Sequence, residues 1–387
     1  MKPFDVYPLM DITPVKGSGA KLWDKEGTEY LDLYGGHAVI SIGHSHPKFV
    51  NRIQEQLSDL AFYSNSVQIP IQKALAKKLG VLSGYPSYDL FLCNSGAEAN
   101  ENALKLASFA TGRAGVIAFK GAFHGRSSGA VAITDNPNII APFNAGHEVY
   151  LLPINQLDTV ESTLKEKEIA AIIIEGIQGV NGIRVPDAEF LRELSALAKK
   201  YGTKLILDEV QSGYGRTGKF FAHQWVEGIK PDLITVAKGM GNGFPIGGVL
   251  VHPDIQAKHG LLGTTFGGNH LACAAGLAVL EVIEQENLMD NALQQGEWLI
   301  PTLKKTEGIQ EVRGKGLMIG IDFYSEAAPI RKTLIQQHHI FTGSSAGKNT
   351  IRLLPPLTIE RKALHLFLNC LESTIAAKEG ATTNLNN

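Results

Sequence analysis

Two short apolar segments in this chain of 387 residues lead directly into side chains that can do acid–base chemistry. Residues 205–207 are followed by Asp208 and Glu209, and residues 233–237 are followed by Lys238. Short apolar segments bounded by polar or turn-forming residues are typical of buried strands in a parallel sheet. Because ligands of open α/β sheets bind at the carboxyl ends of the strands, we expect Asp208 and Lys238 to face one site.

An aspartate and a lysine at two strand ends suit pyridoxal phosphate, whose aldehyde reacts with a lysine amine while its ring nitrogen pairs with an acid. The alternative is that Asp208 caps a helix and that Lys238 is a solvated surface amine. Glycines follow Lys238 at positions 239, 241, 243, 247 and 248. They favour a ligand site, because backbone without side chains can approach a ligand closely.

A second segment, CNSGAEANENALKLA, has the layout of a phosphate site. A strand predicted at 88–92 leads into Asn94, Ser95, Gly96 and Ala97, and apolar residues at helical spacing follow. The free backbone N–H groups and the dipole at a helix start attract an anion. The alternative is ordinary N-capping by Asn94 or Ser95, which needs no ligand. The local pattern leaves both interpretations open.

The segment KGAFHGRSSGA carries an arginine that suits an amino-acid substrate. The Arg126 guanidinium can hold a carboxylate with two parallel hydrogen bonds, and an amino acid presents a carboxylate. The alternative is a surface salt bridge for Arg126 and a place in the core for Phe123. A further buried strand, predicted in AAIIIE, ends in the acid Glu175.

The motifs LDEVQSGYGRTG, AKGMGNGFPIGG, SGAEANENALKLA and GLLGTTFGGNHLACAAG strongly resemble the class III aminotransferases of PLP fold type I. Within that family they resemble the acetylornithine/succinylornithine aminotransferase group. The resemblance extends from WDKEGTEYLDL to RLLPP, and departs from the family pattern at Gly176, at Val180-Asn181 and at His270. It implies an α/β fold, with a large domain around a mostly parallel central sheet and a small α+β domain.

The resemblance also implies pyridoxal 5'-phosphate as the cofactor, attached to Lys238. Asp208 is expected to face the pyridine nitrogen, Gln211 the phenolic oxygen, and Phe123 the ring face. Thr265 is expected to reach the phosphate of the neighbouring subunit, which implies a homodimer with shared sites. The residues expected to bind the cofactor are Ser95, Gly96, Ala97, Phe123, Asp208, Glu209, Val210, Gln211, Lys238 and Thr265.

The substrates implied by the resemblance are an N-acylated ornithine and 2-oxoglutarate, in arginine biosynthesis. Lys238, Asp208 and Glu175 are expected to be catalytic, and Glu175 is expected to pair with Arg352 so that one pocket accepts both substrates. The residues expected to bind substrate are Arg126, Thr264, Arg352 and Glu175.

The acyl group of the donor stays open between acetyl and succinyl. The rival within the family is another ω-aminotransferase, acting on ornithine or 4-aminobutyrate. A rival of a different class is a PLP-binding dimer without catalysis. Retention of Lys238, Asp208, Arg126 and Arg352 argues against that rival.

The composition gives no sign of a nucleic-acid or membrane partner, since the net charge is only −2 and no basic patch stands out. The first residues, MKPFDVYPLM, do not resemble a signal peptide or a membrane span. Cys93, Cys273 and Cys370 are too scattered for a disulfide framework or a zinc site, and no metal is expected. The sequence therefore predicts a cytoplasmic protein.

The pattern along the chain predicts four parts. Residues 1–47 form an N-terminal segment, which the resemblance places against the small domain and at the mouth of the site. Residues 48–285 form the large cofactor-binding domain, and residues 286–378 form the small C-terminal domain. A polar tail at 379–387 is expected to be disordered. One long helix is predicted from 272 to 298, with the domain boundary near its middle.

Overall fold

The structure is a computed structural model that describes the backbone of residues 1–383 and the side chains of residues 1–378. The last helix is described as far as Thr383. The final part of the predicted tail, 384–387, lies outside the described residues.

The strands fall into three sheets. In chain order they are β1 (Pro14–Ser18), β2 (Lys21–Asp24), β3 (Glu29–Asp32), β4 (Asp89–Cys93), β5 (Gly115–Phe119), β6 (Val149–Leu152), β7 (Ile169–Glu175), β8 (Lys204–Asp208), β9 (Leu233–Val236), β10 (Gly247–Val251), β11 (Ile309–Lys315), β12 (Met318–Phe323), β13 (Ile340–Phe341), β14 (Gly343–Ser344) and β15 (Thr350–Leu353).

Helices lie on both faces of the largest sheet. In chain order they are α1 (Gly35–Ala38), α2 (Pro47–Asp59), α3 (Pro70–Ser83), α4 (Gly96–Thr111), α5 (Ser128–Ala132), α6 (Leu157–Glu166), α7 (Ala188–Lys200), α8 (His270–Gln285), α9 (Leu288–Leu303), α10 (Ala327–His338) and α11 (Arg361–Thr383). Short 3-10 turns lie at Pro137–Ile139, Pro142–Asn144, Ala222–Trp225 and Lys238–Met240.

The central sheet has the strand order β4-β10-β9-β8-β7-β5-β6. The neighbours from β9 to β6 pair in parallel, while β10 is antiparallel to both β9 and β4. A mostly parallel sheet within an α/β fold is therefore confirmed. The sequence patterns did not predict β6, and they did not predict β10, whose glycines were interpreted only as part of a ligand site.

The strand β7 explains how this sheet is held between two helical layers. All of its residues are buried. Successive side chains of a strand point to opposite faces. Ile173 accordingly packs into a cluster with Ala99 and Ala103 of α4, whereas Ile172 packs into a cluster with Leu194 of α7. The continuous apolar sequence follows from burial on both faces.

Two smaller sheets lie outside the central one. The strands β1, β2 and β3 are joined by β13 from the C-terminal part of the chain, and β13 pairs in parallel with β3. The second small sheet has the order β11-β12-β15-β14 and is antiparallel. The division into segments at 47, 285 and 378 stays a prediction, and the pairing of β13 with β3 supports the association of the N-terminal segment with the C-terminal part.

The helix predicted from 272 to 298 is wrong, because the structure has two helices there. The helix α8 ends at Gln285, and α9 begins at Leu288. Asn287 between them has φ 50°, in the left-handed region, which ends one helix and redirects the chain. No described helix is both long enough and apolar enough to cross a membrane. The cytoplasmic location stays a prediction.

Candidate active site

A cavity of about 400 Å³ opens at the carboxyl ends of β5, β7 and β8. The predicted site residues that line it are Ser95, Gly96, Ala97, Phe123, Arg126, Glu175, Asp208, Val210, Gln211 and Lys238. The predicted residues that lie outside its lining are Glu209, Thr264, Thr265 and Arg352. Most of the residues predicted from the sequence therefore lie around one cavity. The four that lie outside its lining are described separately below.

Asp208 ends the buried strand β8 and is held by three hydrogen bonds. Its Oδ2 accepts from Asn100 Nδ2 at 2.8 Å and lies 2.7 Å from His124 Nδ1, and its Oδ1 accepts from the backbone N–H of Val210 at 3.0 Å. Asn100 Nδ2 also donates to the backbone oxygen of His124 at 2.7 Å. These contacts fix the carboxylate in one orientation beside the cavity.

The Glu209 side chain does not line the cavity, and its role as a cofactor-binding residue stays a prediction. Its carboxylate lies 2.7 Å from His223 Nδ1 and accepts hydrogen bonds from the backbone of Ala222 and His223 and from Ser212 Oγ. Adjacent side chains at the end of a strand point to opposite sides. Asp208 therefore faces the cavity, while Glu209 joins a buried network behind it.

The helix α4 begins with Gly96, directly beside the cavity. Ser95 Oγ accepts a hydrogen bond from the backbone N–H of Glu98, whose own carboxylate accepts from the N–H of Asn94. Within the described residues the N–H groups of Gly96 and Ala97 have no partner. Free N–H groups at the start of a long helix are suited to bind an anion.

Gly96 also leaves space that a side chain would fill. A Cβ at this position would lie 2.7 Å from Val210 Cγ1. That distance is far below van der Waals contact, so glycine allows the helix start and the loop after β8 to meet at the cavity.

Lys238 lies two residues beyond the end of β9 and lines the cavity. Its φ is 45°, a left-handed conformation that costs about 1 to 2 kcal/mol for a residue with a Cβ. Burial lowers the pKa of the Lys238 amine, while the nearby carboxylates of Asp208 and Glu175 act in the opposite direction. The lowered pKa raises the fraction of neutral amine, the form that acts as a base or nucleophile.

Glu175 ends β7 directly beside Asp208 in the parallel register. Its Oε1 accepts from the backbone N–H of Phe123 at 3.0 Å, and its Oε2 accepts from the N–H of Gly179 at 2.9 Å. Burial raises the pKa of Glu175 to about 7; His124 lowers it, Asp208 raises it, and the two backbone bonds lower it. This carboxyl can therefore change its charge near neutral pH.

The predicted pairing of Glu175 with Arg352 is not a direct ion pair among the described residues. Arg352 on β15 donates from NH1 to the backbone oxygen of Gly179 at 3.0 Å and from Nε to the oxygen of Ser344 at 2.5 Å. Its NH2 lies 3.5 Å from the hydroxyl of Tyr34. Gly179 thus lies between the two side chains: its N–H donates to Glu175, and its oxygen accepts from Arg352.

Arg126 is exposed at the cavity and has no hydrogen bond or ion pair with any described residue. Thr264 is half-buried outside the cavity and its Oγ1 accepts from the N–H of Gly267 at 3.1 Å. Thr265 is exposed, and within the described chain its hydroxyl has no partner. The structure thus leaves Arg126 and Thr265 accessible. Neither Thr264 nor Thr265 lines the cavity, but Thr264 Oγ1 accepts at 3.4 Å from Nδ2 of Asn94, which does line it.

Sequence reasoning missed two residues near the site. Asn100 on α4 is 1% exposed. The signal available in the sequence was a polar amide among the alanines of a predicted helix. Tyr34 contacts Arg352 and also bonds to His37 through its hydroxyl. Tyr34 comes from the N-terminal segment, which is expected to pack with the small domain, but no local pattern identifies Tyr34 as the residue that contacts Arg352.

The residues around the cavity fit pyridoxal phosphate. Two buried polar atoms on residues that line the cavity lack a partner among the described residues, Gln211 Oε1 and His124 Nε2. The helix start offers free N–H groups for a phosphate, Asp208 offers a fixed carboxylate, and Lys238 offers an amine. An aldehyde, a ring nitrogen and a phosphate require this set of donors and acceptors.

Comparison with known proteins agrees with a site for pyridoxal phosphate. The sequence matches the family model of class-III aminotransferases over residues 5–375. An acetylornithine aminotransferase of Archaeoglobus fulgidus is 42% identical over 370 residues, which cover 94% of this chain and 96% of the relative. An acetylornithine aminotransferase of Bacillus subtilis is 38% identical over 382 residues, covering 96% of this chain and 97% of the relative.

Solved structures give the same result at the level of the fold. An acetylornithine aminotransferase from Elizabethkingia anophelis is 32% identical with a TM-score of 0.84, and the match covers 97% of this chain and 96% of that one. An ornithine aminotransferase from Toxoplasma gondii is 28% identical with a TM-score of 0.91, covering 98% of this chain and 93% of that one. The chain therefore belongs to the class-III aminotransferases, the pyridoxal-phosphate-dependent family that its motifs resemble.

Proposed function

We propose that this aminotransferase moves the terminal amino group of an N-acylated ornithine to 2-oxoglutarate. The products are the N-acylglutamate semialdehyde and glutamate. The observation that carries the proposal is an unpaired arginine, Arg126, in the same cavity as Lys238 and Asp208. The similarity to several acetylornithine aminotransferases supports the acetylated donor and a place in arginine biosynthesis. The succinylated donor stays the alternative.

When bound, pyridoxal phosphate supplies an electron sink for the electron pair released at the substrate carbon. The Asp208 carboxylate is proposed to hold a proton on the ring nitrogen, and its three hydrogen bonds keep it oriented for that purpose. The Gly96 and Ala97 N–H groups are proposed to bind the phosphate. Phe123 and Val210 line the cavity and are proposed to exclude water from the ring faces.

Lys238 is proposed to hold the cofactor at rest and to act as the base once the amino donor has displaced it. Its Nζ then takes a proton from the substrate carbon and returns a proton to the cofactor side. The lowered pKa of the Lys238 amine favours this role, because a base must be unprotonated to accept. No other lysine lines the cavity in the described part of the chain.

Arg126 is proposed to hold the α-carboxylate of the donor, which leaves the terminal amine free to reach the site of Lys238. Free ornithine would bring a second charged amine into the same region. Burying that charge without a partner is costly, so acylation of the α-amine should improve binding.

Glu175 and Arg352 are proposed to let one pocket accept two substrates. The reacting end of the donor has no carboxylate, whereas the acceptor has one next to its carbonyl. Glu175 lowers the local positive potential while the donor is bound, and the guanidinium of Arg352 binds the carboxylate of the acceptor. Both side chains form hydrogen bonds with the backbone of Gly179, so a movement of one side chain would shift the hydrogen-bond partner of the other.

A homodimer is the proposed assembly. Leu60, Phe62, Tyr63, Val67 and Phe266 are large apolar residues with at least 40% of their surface exposed in the single chain. Phe62 and Phe266 lie with their ring centroids 5.6 Å apart, beside the exposed Thr265. An exposed apolar surface of this kind is typical of an interface. Burying it against a second copy would carry Thr265 toward another subunit's site.

The test of the proposed function compares amino donors with one acceptor. Values of kcat/KM for N-acetylornithine, N-succinylornithine, ornithine and 4-aminobutyrate with 2-oxoglutarate should be highest for an acylated donor. A higher value for ornithine would favour the activity named for the Toxoplasma gondii neighbour and overturn the proposal. A holoenzyme that binds the cofactor but converts none of the donors would support a dimer without catalysis.

A further inference from the structure

Arg313 and Arg352 lie in one row across the C-terminal sheet. Arg313 on β11 is the register partner of Gly320 on β12, and Gly320 is the register partner of Arg352 on β15. A Cβ at Gly320 would lie 2.6 Å from the backbone oxygen of Gly182. The missing side chain therefore makes room for the loop 179–183 to lie against the sheet between two arginines.

That loop is a closed hairpin attached to the sheet along its length. Its neck is the pair Gln178 and Arg184, which exchange backbone hydrogen bonds of 2.9 and 3.1 Å. Three donors of the C-terminal part reach backbone oxygens of the loop. Arg352 NH1 donates to Gly179, the N–H of Ala346 donates to Val180 at 2.9 Å, and Arg313 Nε donates to Gly182 at 2.7 Å.

Arg313 is itself fixed more firmly than an ordinary surface arginine. Its NH1 and NH2 donate to the two carboxylate oxygens of Asp322 at 2.7 and 2.8 Å, and Thr350 Oγ1 donates to Asp322 at 2.6 Å. The side chains of Arg313 and Asp322 are only 9% and 13% exposed. A bidentate, nearly buried pair holds its geometry far better than an exposed ion pair.

We propose that Arg313 is a positioning residue for recognition of the acceptor carboxylate. The inference rests on the proposed role of Arg352 as the group that binds 2-oxoglutarate. Arg313 lies outside the cavity and acts through the loop, because Gly182 N–H in turn bonds to the Gly179 oxygen at 3.3 Å. That oxygen orients the Arg352 guanidinium. Without Arg313, the loop loses one of its attachments and Arg352 loses a fixed partner.

The effect should fall on one half-reaction. Lys238 and Arg126, two of the proposed contacts of the donor, do not involve the loop. Glu175 accepts only from the N–H of Gly179 at the start of the loop, whereas Arg313 holds Gly182 at its other end and the acceptor carboxylate needs Arg352 in a fixed orientation. In the holoenzyme, Arg313→Met should raise KM for 2-oxoglutarate about tenfold, equivalent to one lost oriented contact, while KM for the acylornithine stays within about twofold. Arg313→Lys keeps the charge but not the paired geometry, and should have an intermediate effect.

Arg184→Met is the matched control. The Arg184 side chain joins the same ionic cluster, 3.2 Å from Glu311 and 3.5 Å from Asp322, but it donates to no loop oxygen. It should leave both KM values unchanged. Binding of glutarate, which carries the same carboxylates but cannot react, measured by calorimetry on each folded variant, should weaken with Arg313→Met and not with Arg184→Met.

Equal changes in both half-reactions, or unchanged glutarate affinity in a folded Arg313→Met or Arg313→Lys, would overturn the positioning role. A lower melting temperature alone would mean that Arg313 is merely structural. Failure of the wild type to use 2-oxoglutarate at all would instead refute the proposed function.

Discussion

Glu175 should make the stability of the cofactor-free protein depend on pH in a direction opposite to that of an ordinary acid. Burial is the largest cause that raises its pKa from 4.5 to about 7. Between these values the folded protein keeps a proton that the unfolded chain has released. Its contribution to stability is therefore fully present below about pH 4.5 and is lost as the pH rises toward about 7.

The magnitude follows from the shift. The whole difference of about 2.5 pKa units corresponds to about 3.4 kcal/mol, of which about 2.5 kcal/mol is lost between about pH 5 and pH 8. Glu175→Gln removes this titration. The glutamine oxygen can accept from only one of the N–H groups of Phe123 and Gly179, which costs about 1 to 3 kcal/mol at every pH.

The assay is denaturant unfolding of both proteins across this pH range. Glu175→Gln should be less stable at low pH, and the gap to the wild type should narrow by about 2.5 kcal/mol as the pH reaches about 8. Infrared difference spectra should also contain a protonated carboxyl band near neutral pH that is absent from the variant. If the free energies of unfolding of the two proteins changed in parallel with pH, the raised pKa of Glu175 and its explanation by burial would be refuted.

Two other predictions concern the cofactor. Lys238→Ala should fold with an unchanged circular-dichroism spectrum but lose both activity and covalent attachment of the cofactor. Borohydride reduction of the wild type should label the peptide that contains Lys238. A label on another lysine would contradict the proposed role of Lys238. Thr265→Ala should weaken cofactor binding roughly 10- to 150-fold, as expected for one lost hydrogen bond to a charged group, while Thr265→Ser should retain it. Sedimentation equilibrium should find a dimer in all of these proteins, and a monomeric wild type with full cofactor affinity would exclude a shared site.

The sequence was most informative where chemistry and secondary structure share one segment. Asp208, Glu175 and Lys238 follow buried strands, and in a mostly parallel sheet the strand ends necessarily meet at one edge. Gly96 and Ala97 follow the same rule at the start of α4. Local patterns and one general property of parallel sheets predicted where these residues lie, whereas the resemblance to the family supplied their roles.

The sequence was less informative where the arrangement depends on contacts between distant segments. Glu209 follows Asp208 in sequence but points into a network with His223 that sequence spacing does not reveal. The expected Glu175 and Arg352 pair is mediated by Gly179, because the hairpin after β7 reaches the C-terminal sheet. The contact between Tyr34 and Arg352 also joins two residues that are 318 positions apart in the sequence.

The contacts around the cavity divide two requirements of the reaction between rigid and adaptable parts of the fold. The acid proposed to tune the cofactor, Asp208, ends a buried strand and has three partners, so its position does not depend on which substrate is bound. Arg352, proposed to act in one half-reaction only, bonds instead to two backbone oxygens, that of Gly179 in the hairpin and that of Ser344 on the edge strand β14. Contacts with a hairpin or an edge strand can change at a smaller cost than the position of a strand end in a packed core. A site that must treat one cofactor identically and two substrates differently needs this division, and it places the differences between substrates at the end of β7 and in the hairpin that follows it.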